Sequence, residues 1–237
     1  MLQAGMGPAT YGDSRRRLAT IASADRLLIE QFRRLAATLI HSQRTAPLKV
    51  IMVTSAAPEE GKTLTALNLA LVLSESFRLR VLLIDADLRR PKITEVANIT
   101  VEGLGEVVKA PEARKVPLVP VTDMLTLLPA GRADPDPLSG LTSARMQQLL
   151  HEAGATFDWV IVDTPPVGAA ADASLLCAMA DATVLVVRAG RTPFEAVQQA
   201  IDGIGRERII GVVLNGVDGR DVPSYGDYLT RDKHDPD

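Results

Sequence analysis

The chain has 237 residues, 46% of them hydrophobic and 23% charged, enough to bury one large core, and no Pro/Gly/Ser linker divides it. A formal net charge of -3 gives no support to nucleic acid as a partner, and the single cysteine, Cys177, excludes an intramolecular disulfide framework and suits a reducing cytoplasm. The longest apolar runs fall short of a membrane span and no signal peptide is evident, so the expected location is cytoplasmic, with any membrane role reached through a partner.

Three segments are expected: an arm over residues 1–22, a folded domain over 23–219 and a polar tail over 220–237. The arm lacks periodicity and contains Gly5, Gly7, Pro8 and Gly12. Its Arg15-Arg16-Arg17 run reads first as a solvated charge cluster, with anionic lipid or a partner as the functional alternative. From Asp25 the pattern is helical, with Leu28, Phe32, Leu35 and Leu39 on one stripe and Glu30 within reach of Arg33 or Arg34. Val50, Ile51 and Val53 then predict a buried strand. It breaks at Ser55-Ala56-Ala57-Pro58, and Gly61-Lys62-Thr63 opens a helix that runs through Ser76.

Strand, small-residue turn, Gly-Lys-Thr and helix make the context of a phosphate-binding loop. Backbone N–H groups at a helix start present partial positive charge to a triphosphate. Lys62 is expected to reach the β- and γ-phosphates and Thr63 to ligate Mg²⁺. Ala56 stands where the usual motif has its first glycine. The nucleotide-contacting stretch is taken as Ala57, Pro58, Glu59, Glu60, Gly61, Lys62, Thr63 and Leu64.

Val81 to Ile84 predicts a second strand. It ends in Asp85-Ala86-Asp87-Leu88-Arg89-Arg90-Pro91, placing two carboxylates at the edge where open parallel sheets bind ligands. Over residues 92–140, short helices are expected at Ile93 to Ala97 and Leu104 to Lys109, with a strand at Leu125 to Leu128 and a loop from Arg132 to Pro137. Thr142 is read as the N-cap of a helix closed by Gly154. Trp159 to Val162 is a third strand, and its terminal Asp163 suits a Walker-B position that holds Mg²⁺ directly or through water. A helix over Asp172 to Ala180 takes Cys177 as core filler. A strand spans Thr183 to Val187, a helix has Pro193 at N1, and a last strand, Ile209 to Leu214, precedes Asn215. The alternation argues for a doubly wound, mostly parallel α/β sheet flanked by helices, with three strand ends offering phosphate and metal chemistry at one edge.

Together, Ala56 to Thr63, Val81 to Pro91 and Val160 to Pro166 resemble the Walker A, A′ and B motifs of the bacterial tyrosine kinases that control capsule and exopolysaccharide synthesis. The likeness continues through Leu128-Pro129-Ala130-Gly131, Val186 to Gly190 and Gly211 to Asn215. The resemblance implies a P-loop autokinase that uses ATP and Mg²⁺. Lys62, Asp85, Asp87 and Asp163 are then catalytic, Thr63, Asp85 and Asp163 surround the metal, Asp87 accepts the proton of an attacking tyrosine, and Asn215 flanks the adenine. The tail tyrosines Tyr225 and Tyr228 are the acceptors, fewer than the family's usual cluster. Glu30 and Arg33 match a helix motif used for ring contacts, whose third position here is Ala36. Implied partners are a membrane-bound chain-length regulator that activates the kinase and recruits it to the inner face of the cell membrane, further copies in a homo-oligomeric ring, and a phosphotyrosine phosphatase. A nucleotide-driven assembly switch without kinase activity is the alternative. Partition and division-site ATPases share the fold but carry a lysine where this chain has Ala57.

Overall fold

The computed structural model describes residues 26–99, 101–110, 115–168 and 171–217. The arginine run of the arm, Asp218, Tyr225 and Tyr228 lie outside the described residues. In chain order the elements are α1 (Arg26–Gln43), β1 (Val50–Ser55), α2 (Lys62–Glu75), β2 (Val81–Asp85), α3 (Lys92–Val96), α4 (Leu104–Lys109), β3 (Val119–Pro120), β4 (Leu125–Leu128), α5 (Leu138–Leu141), α6 (Ala144–Thr156), β5 (Trp159–Asp163), α7 (Ala171–Met179), β6 (Ala182–Arg188), α8 (Phe194–Ile204) and β7 (Ile209–Asn215).

The strands form one seven-stranded sheet in the order β3-β4-β2-β5-β1-β6-β7. All neighbours are parallel except β3, which pairs antiparallel with β4. Every residue of β1, β2 and β5 is buried, as central parallel strands covered on both faces require. Alternate residues divide the core. Ile51, Val53, Leu83 and Ile161 face α1, α2 and α3, whereas Met52, Leu82, Ile84 and Val160 face α4 through α8.

Helix α2 is buried on nearly every side because α1 packs over its outer surface. The α1 stripe supplies Phe32 and Leu39 to that contact, with Leu28 and Leu35 partly buried; Ala36 is fully buried beside them. Two phosphate-edge features follow from register. Asp85 pairs with Asp163 across β2 and β5, so those two strands end level, while Val53 pairs with Asp163 across β1 and β5 and β1 runs two residues further, to Ser55.

Local corrections fall at helix ends and in the proline-rich stretch. Ser143, not Thr142, caps α6, its hydroxyl accepting from the Met146 N–H at 3.2 Å; Thr142 instead terminates the unforeseen short helix α5. Helix α6 runs past Gly154 to Thr156. That glycine lies inside the helix and does not terminate it; a Cβ there would make ordinary contact with the Lys49 Cβ at 3.5 Å. Pro193 is the N-cap of α8 rather than its first residue, and the antiparallel β3 was not foreseen. Replacing Ser143 with Ala removes an N-cap acceptor and is expected to lower unfolding free energy by about 1 kcal/mol. Chemical denaturation would check this, and Thr142→Ala should cost less.

Candidate active site

The phosphate loop leaves β1 and enters α2 through a backbone that side chains disfavour. Gly61 has φ +95°, and a Cβ there would lie 2.1 Å from Asn215 Nδ2, so both conformation and space demand glycine. Glu59 also has positive φ, at 63°. Alternation between left- and right-handed residues turns successive N–H groups toward one concavity, the geometry of an anion nest. Its walls hold Lys62, Thr63 and Leu64, which line a cleft of about 640 Å³ together with Asp87 and Ile93.

Glu60 holds this loop in shape. Its carboxylate is buried, with 3% exposure. It accepts from the Ala57 N–H at 3.0 Å and from the Thr192 hydroxyl at the start of α8. Arg188, at the end of β6, donates to the Glu59 carbonyl at 3.1 Å, and Asn215 Nδ2 donates to the Glu60 carbonyl at 2.8 Å. The phosphate loop is therefore braced by the ends of β6 and β7. Sequence reasoning missed Glu60, Arg188 and Thr192 as braces, since only proximity in the fold relates residues so distant in the chain. Asn215, expected beside an adenine, touches the loop backbone here.

Three carboxylates converge next to Lys62. Lys62 Nζ lies 3.2 Å from Asp87 Oδ2, and both side chains are largely buried. The other Asp87 oxygen accepts from the Arg90 N–H at 3.2 Å. Asp85 Oδ2 accepts from the Thr94 N–H at 2.9 Å and the Thr94 hydroxyl at 2.7 Å. The same hydroxyl accepts from the Ala130 N–H at 2.9 Å, which ties the Leu128-Pro129-Ala130-Gly131 stretch to the aspartate. Asp85 Oδ1 and both oxygens of Asp163 are buried without a well-formed hydrogen bond.

Burial pushes the Asp163 carboxyl up to about 8; Lys62 opposes that rise and Asp85 adds to it. Burial likewise raises Asp85 to about 6, offset by its hydrogen bonds from Thr94 and reinforced by Asp87. Orphaned carboxylate oxygens beside a threonine hydroxyl fit a hard divalent cation of the Mg²⁺ class. Among the described residues no group of three His, Cys, Asp or Glu side chains could hold a metal alone. Such a cation would need phosphate oxygens or water to complete its shell, as in nucleotide sites generally.

Residues 51–232 match the CobQ/CobB/MinD/ParA nucleotide binding domain. Tyrosine-protein kinase YwqD of Bacillus subtilis is 35% identical over 207 residues, covering 86% of this chain and 87% of the relative. The chain belongs to the bacterial tyrosine-kinase family within that class. Succinoglycan biosynthesis transport protein ExoP of Rhizobium meliloti is 33% identical over 196 residues, 78% of this chain but only 24% of that longer protein. The kinase domain of Escherichia coli tyrosine kinase ETK superposes with a TM-score of 0.75 at 32% identity, covering 83% of this chain and 78% of that one.

For this tyrosine-kinase family member the structure gathers Lys62, Thr63, Asp85, Asp87 and Asp163 at one sheet edge. Glu30 and Arg33 lie elsewhere, on α1, as an ion pair of 3.6 Å, and Arg33 Nε donates to the Ser76 hydroxyl at 3.3 Å. Ala36 is buried against the core and offers nothing to a second molecule. Among the described residues no helix is long and apolar enough to cross a membrane.

The raised carboxyls predict a pH slope. With Asp163 at about 8 in the fold against 3.8 ordinarily, the unfolded chain binds fewer protons between those values. Stability without metal should therefore fall as pH rises from about 4 toward 8. Asp163→Asn should raise the melting temperature at pH 8 in EDTA and bring little gain near pH 4. Thermal unfolding across pH measures both, and a parent chain that grew more stable toward pH 8 would contradict the assignment.

Proposed function

We propose that this chain is an ATP-dependent protein-tyrosine autokinase of capsular or exopolysaccharide production, transferring the γ-phosphate of Mg-ATP to Tyr225 or Tyr228. The observation that carries the reading is the Lys62–Asp87 pair, set between a glycine-bounded anion nest and two orphaned carboxylates. The names of YwqD, ETK and ExoP supply the tyrosine and the polysaccharide.

Lys62 cannot serve a phosphate and Asp87 equally well. An arriving triphosphate, with several negative charges, competes for its ammonium. Drawing Lys62 toward the β- and γ-phosphates leaves Asp87 with an unshared oxygen. That oxygen can take the proton of a phenol, which at a pKa of about 10 is otherwise retained at neutral pH. The phenolic oxygen bonds to the γ-phosphorus, the bond to the leaving β-phosphate oxygen breaks, the proton goes to Asp87 and ADP departs. Positioning and charge neutralisation carry most of such a transfer. Thr63, Asp85 and Asp163 would hold the Mg²⁺ ion, which supplies charge neutralisation on the phosphates. Its charge also favours the ionised forms of Asp85 and Asp163 over the protonated forms that burial promotes.

The catalytic domain spans residues 23–219, with 1–22 as an arm and 220–237 as the acceptor tail. ExoP extends far beyond the matched stretch, which is consistent with activation of this chain by a separate membrane-bound chain-length regulator at the inner face of the cell membrane. Glu30 and Arg33 are the candidate contacts of a homo-oligomeric ring, and a phosphotyrosine phosphatase would reset the tail.

The test is incubation of the purified protein with ATP, Mg²⁺ and the cytoplasmic tail of its regulator, followed by phosphotyrosine mapping by mass spectrometry. Label on Tyr225 or Tyr228 should appear, and Lys62→Met should reduce it by at least about a hundredfold, the scale of losing a principal electrostatic stabiliser. ATP hydrolysis with no phosphotyrosine would replace the kinase with a nucleotide-driven assembly switch.

A further inference from the structure

Thr94 lies in α3, three residues beyond the Val81–Pro91 stretch, and is buried between the end of β2 and the loop that follows β4. Three of its hydrogen bonds bear on Asp85. Its N–H and its hydroxyl both donate to Asp85 Oδ2, at 2.9 and 2.7 Å. The same hydroxyl oxygen accepts from the Ala130 N–H at 2.9 Å. A backbone N–H can only donate, so the Thr94 oxygen must accept from Ala130 and its own proton is left for Asp85. Asp85 Oδ2 therefore receives two donors, one for each lone pair, and has no capacity left for a cation. Oδ1 is the opposite case, buried and without a well-formed hydrogen bond.

The fixed point behind this contact is the turn Pro129–Arg132. The Leu104 and Gly105 N–H groups, at the start of α4, donate to the Pro129 and Ala130 carbonyls at 2.8 and 2.9 Å. Glu106 clamps the other side, accepting from the Gly103 N–H at 2.8 Å and the Arg132 N–H at 3.1 Å. The Ala130 amide is thereby held facing Thr94, and Thr94 passes that rigidity to Asp85. Divalent cations differ in what they ask of a carboxylate. Mg²⁺ demands a near-octahedral shell at about 2.0–2.1 Å, whereas Ca²⁺ takes about six to eight oxygens at about 2.3–2.6 Å, often both from one carboxylate. A carboxylate with one oxygen already filled suits the smaller ion.

We infer that Thr94 is a positioning residue that restricts Asp85 to a one-oxygen ligand and so makes the site select Mg²⁺ over Ca²⁺. The inference rests on the Mg-ATP reading above and names the residue that sets its metal specificity. Asp163 carries no such restraint, since both its oxygens are orphaned, so within this pair the selection falls on Asp85. Groups that hydrogen-bond a metal-ligating carboxylate fix its orientation, and losing one typically costs roughly ten- to a hundredfold in metal affinity. Deleting the Thr94 hydroxyl frees a lone pair on Asp85 Oδ2 and leaves the Ala130 N–H unpaired. Asp85 can then offer both oxygens, which favours the larger ion. Serine keeps the hydroxyl and should serve as threonine does. Valine keeps the shape and should not.

The test measures the dissociation constant of a fluorescent, non-hydrolysable ATP analogue on the full chain, in excess Mg²⁺, in excess Ca²⁺ and in EDTA. The parent should bind more tightly in Mg²⁺ than in Ca²⁺. Thr94→Val should weaken binding in Mg²⁺ by roughly tenfold while binding in EDTA stays within about twofold, because only the metal-dependent part is lost. Its preference for Mg²⁺ over Ca²⁺ should narrow by at least about fivefold. Thr94→Ser should restore the parent's values. Thr94→Ala removes the same hydroxyl and is measured beside Thr94→Val, with circular dichroism to confirm the fold of each. A merely structural role would weaken binding in all three conditions alike. An unchanged preference in both deletion variants therefore overturns the inference while the Mg-ATP reading stands, and so does a parent that binds equally in Mg²⁺ and Ca²⁺ but more weakly in EDTA. A Thr94→Ser variant as altered as Thr94→Val overturns it too. If the parent binds the analogue equally in Mg²⁺ and EDTA, the Mg-ATP reading itself falls and the inference falls with it.

Discussion

One lysine set among three carboxylates is the constraint on which the site depends. Lys62 pairs with Asp87, which leaves Asp85 and Asp163 buried without a cation of their own. Burial raises both carboxyls, Asp163 to about 8 and Asp85 to about 6. Such an arrangement is costly unless cations enter. Under the proposed function, a nucleotide with its metal would relieve this electrostatic tension, and the same event would release Asp87 from Lys62.

The sheet makes the arrangement possible. Parallel pairing of β2 with β5 brings Asp85 and Asp163 to adjacent positions, and β1, on the other side of β5, runs two residues further before the phosphate loop begins. Helices on both faces exclude solvent from the strands, which is why carboxylates at their ends feel burial rather than bulk water. A second layer of contacts keeps the loop from relaxing: Glu60, Arg188, Thr192 and Asn215 hold its amide and carbonyl groups from the β6–β7 side. Thr94 does the same for Asp85 on the opposite flank and borrows its own support from the Ala130 amide. The two flanks thus perform different work. One stiffens the anion nest, and the other orients Asp85.

Legibility in the sequence varied with the range of the interactions. The strands Val50–Ser55, Val81–Asp85, Leu125–Leu128 and Trp159–Asp163 were readable because a strand covered on both faces must be apolar throughout. The helix α1 was readable from its stripe. Helix ends were less so, because Thr142 and Ser143 are equally good caps in composition and only the path of α5 decides which of them faces the first turn of α6. Gly154 reads as a terminator, and only the continued helical path to Thr156 shows that it lies inside the helix. The strand β3 is two residues long and gains its pairing from β4, so no local pattern announces it.

By itself the sequence determined the chemistry available: a Gly-Lys-Thr helix start, three aspartates at strand ends, and two tyrosines in a polar tail. Those features are local, since propensity and motif spacing act over a few residues. The tertiary structure decided how they are used. It set which aspartate holds the lysine, which oxygens remain orphaned, that a buried Glu60 braces the loop, and that Ala36 belongs to the core and not to an exposed helix face. These depend on burial and on contacts between residues far apart in the chain, and burial alone turns an ordinary aspartate into one that keeps its proton near neutral pH.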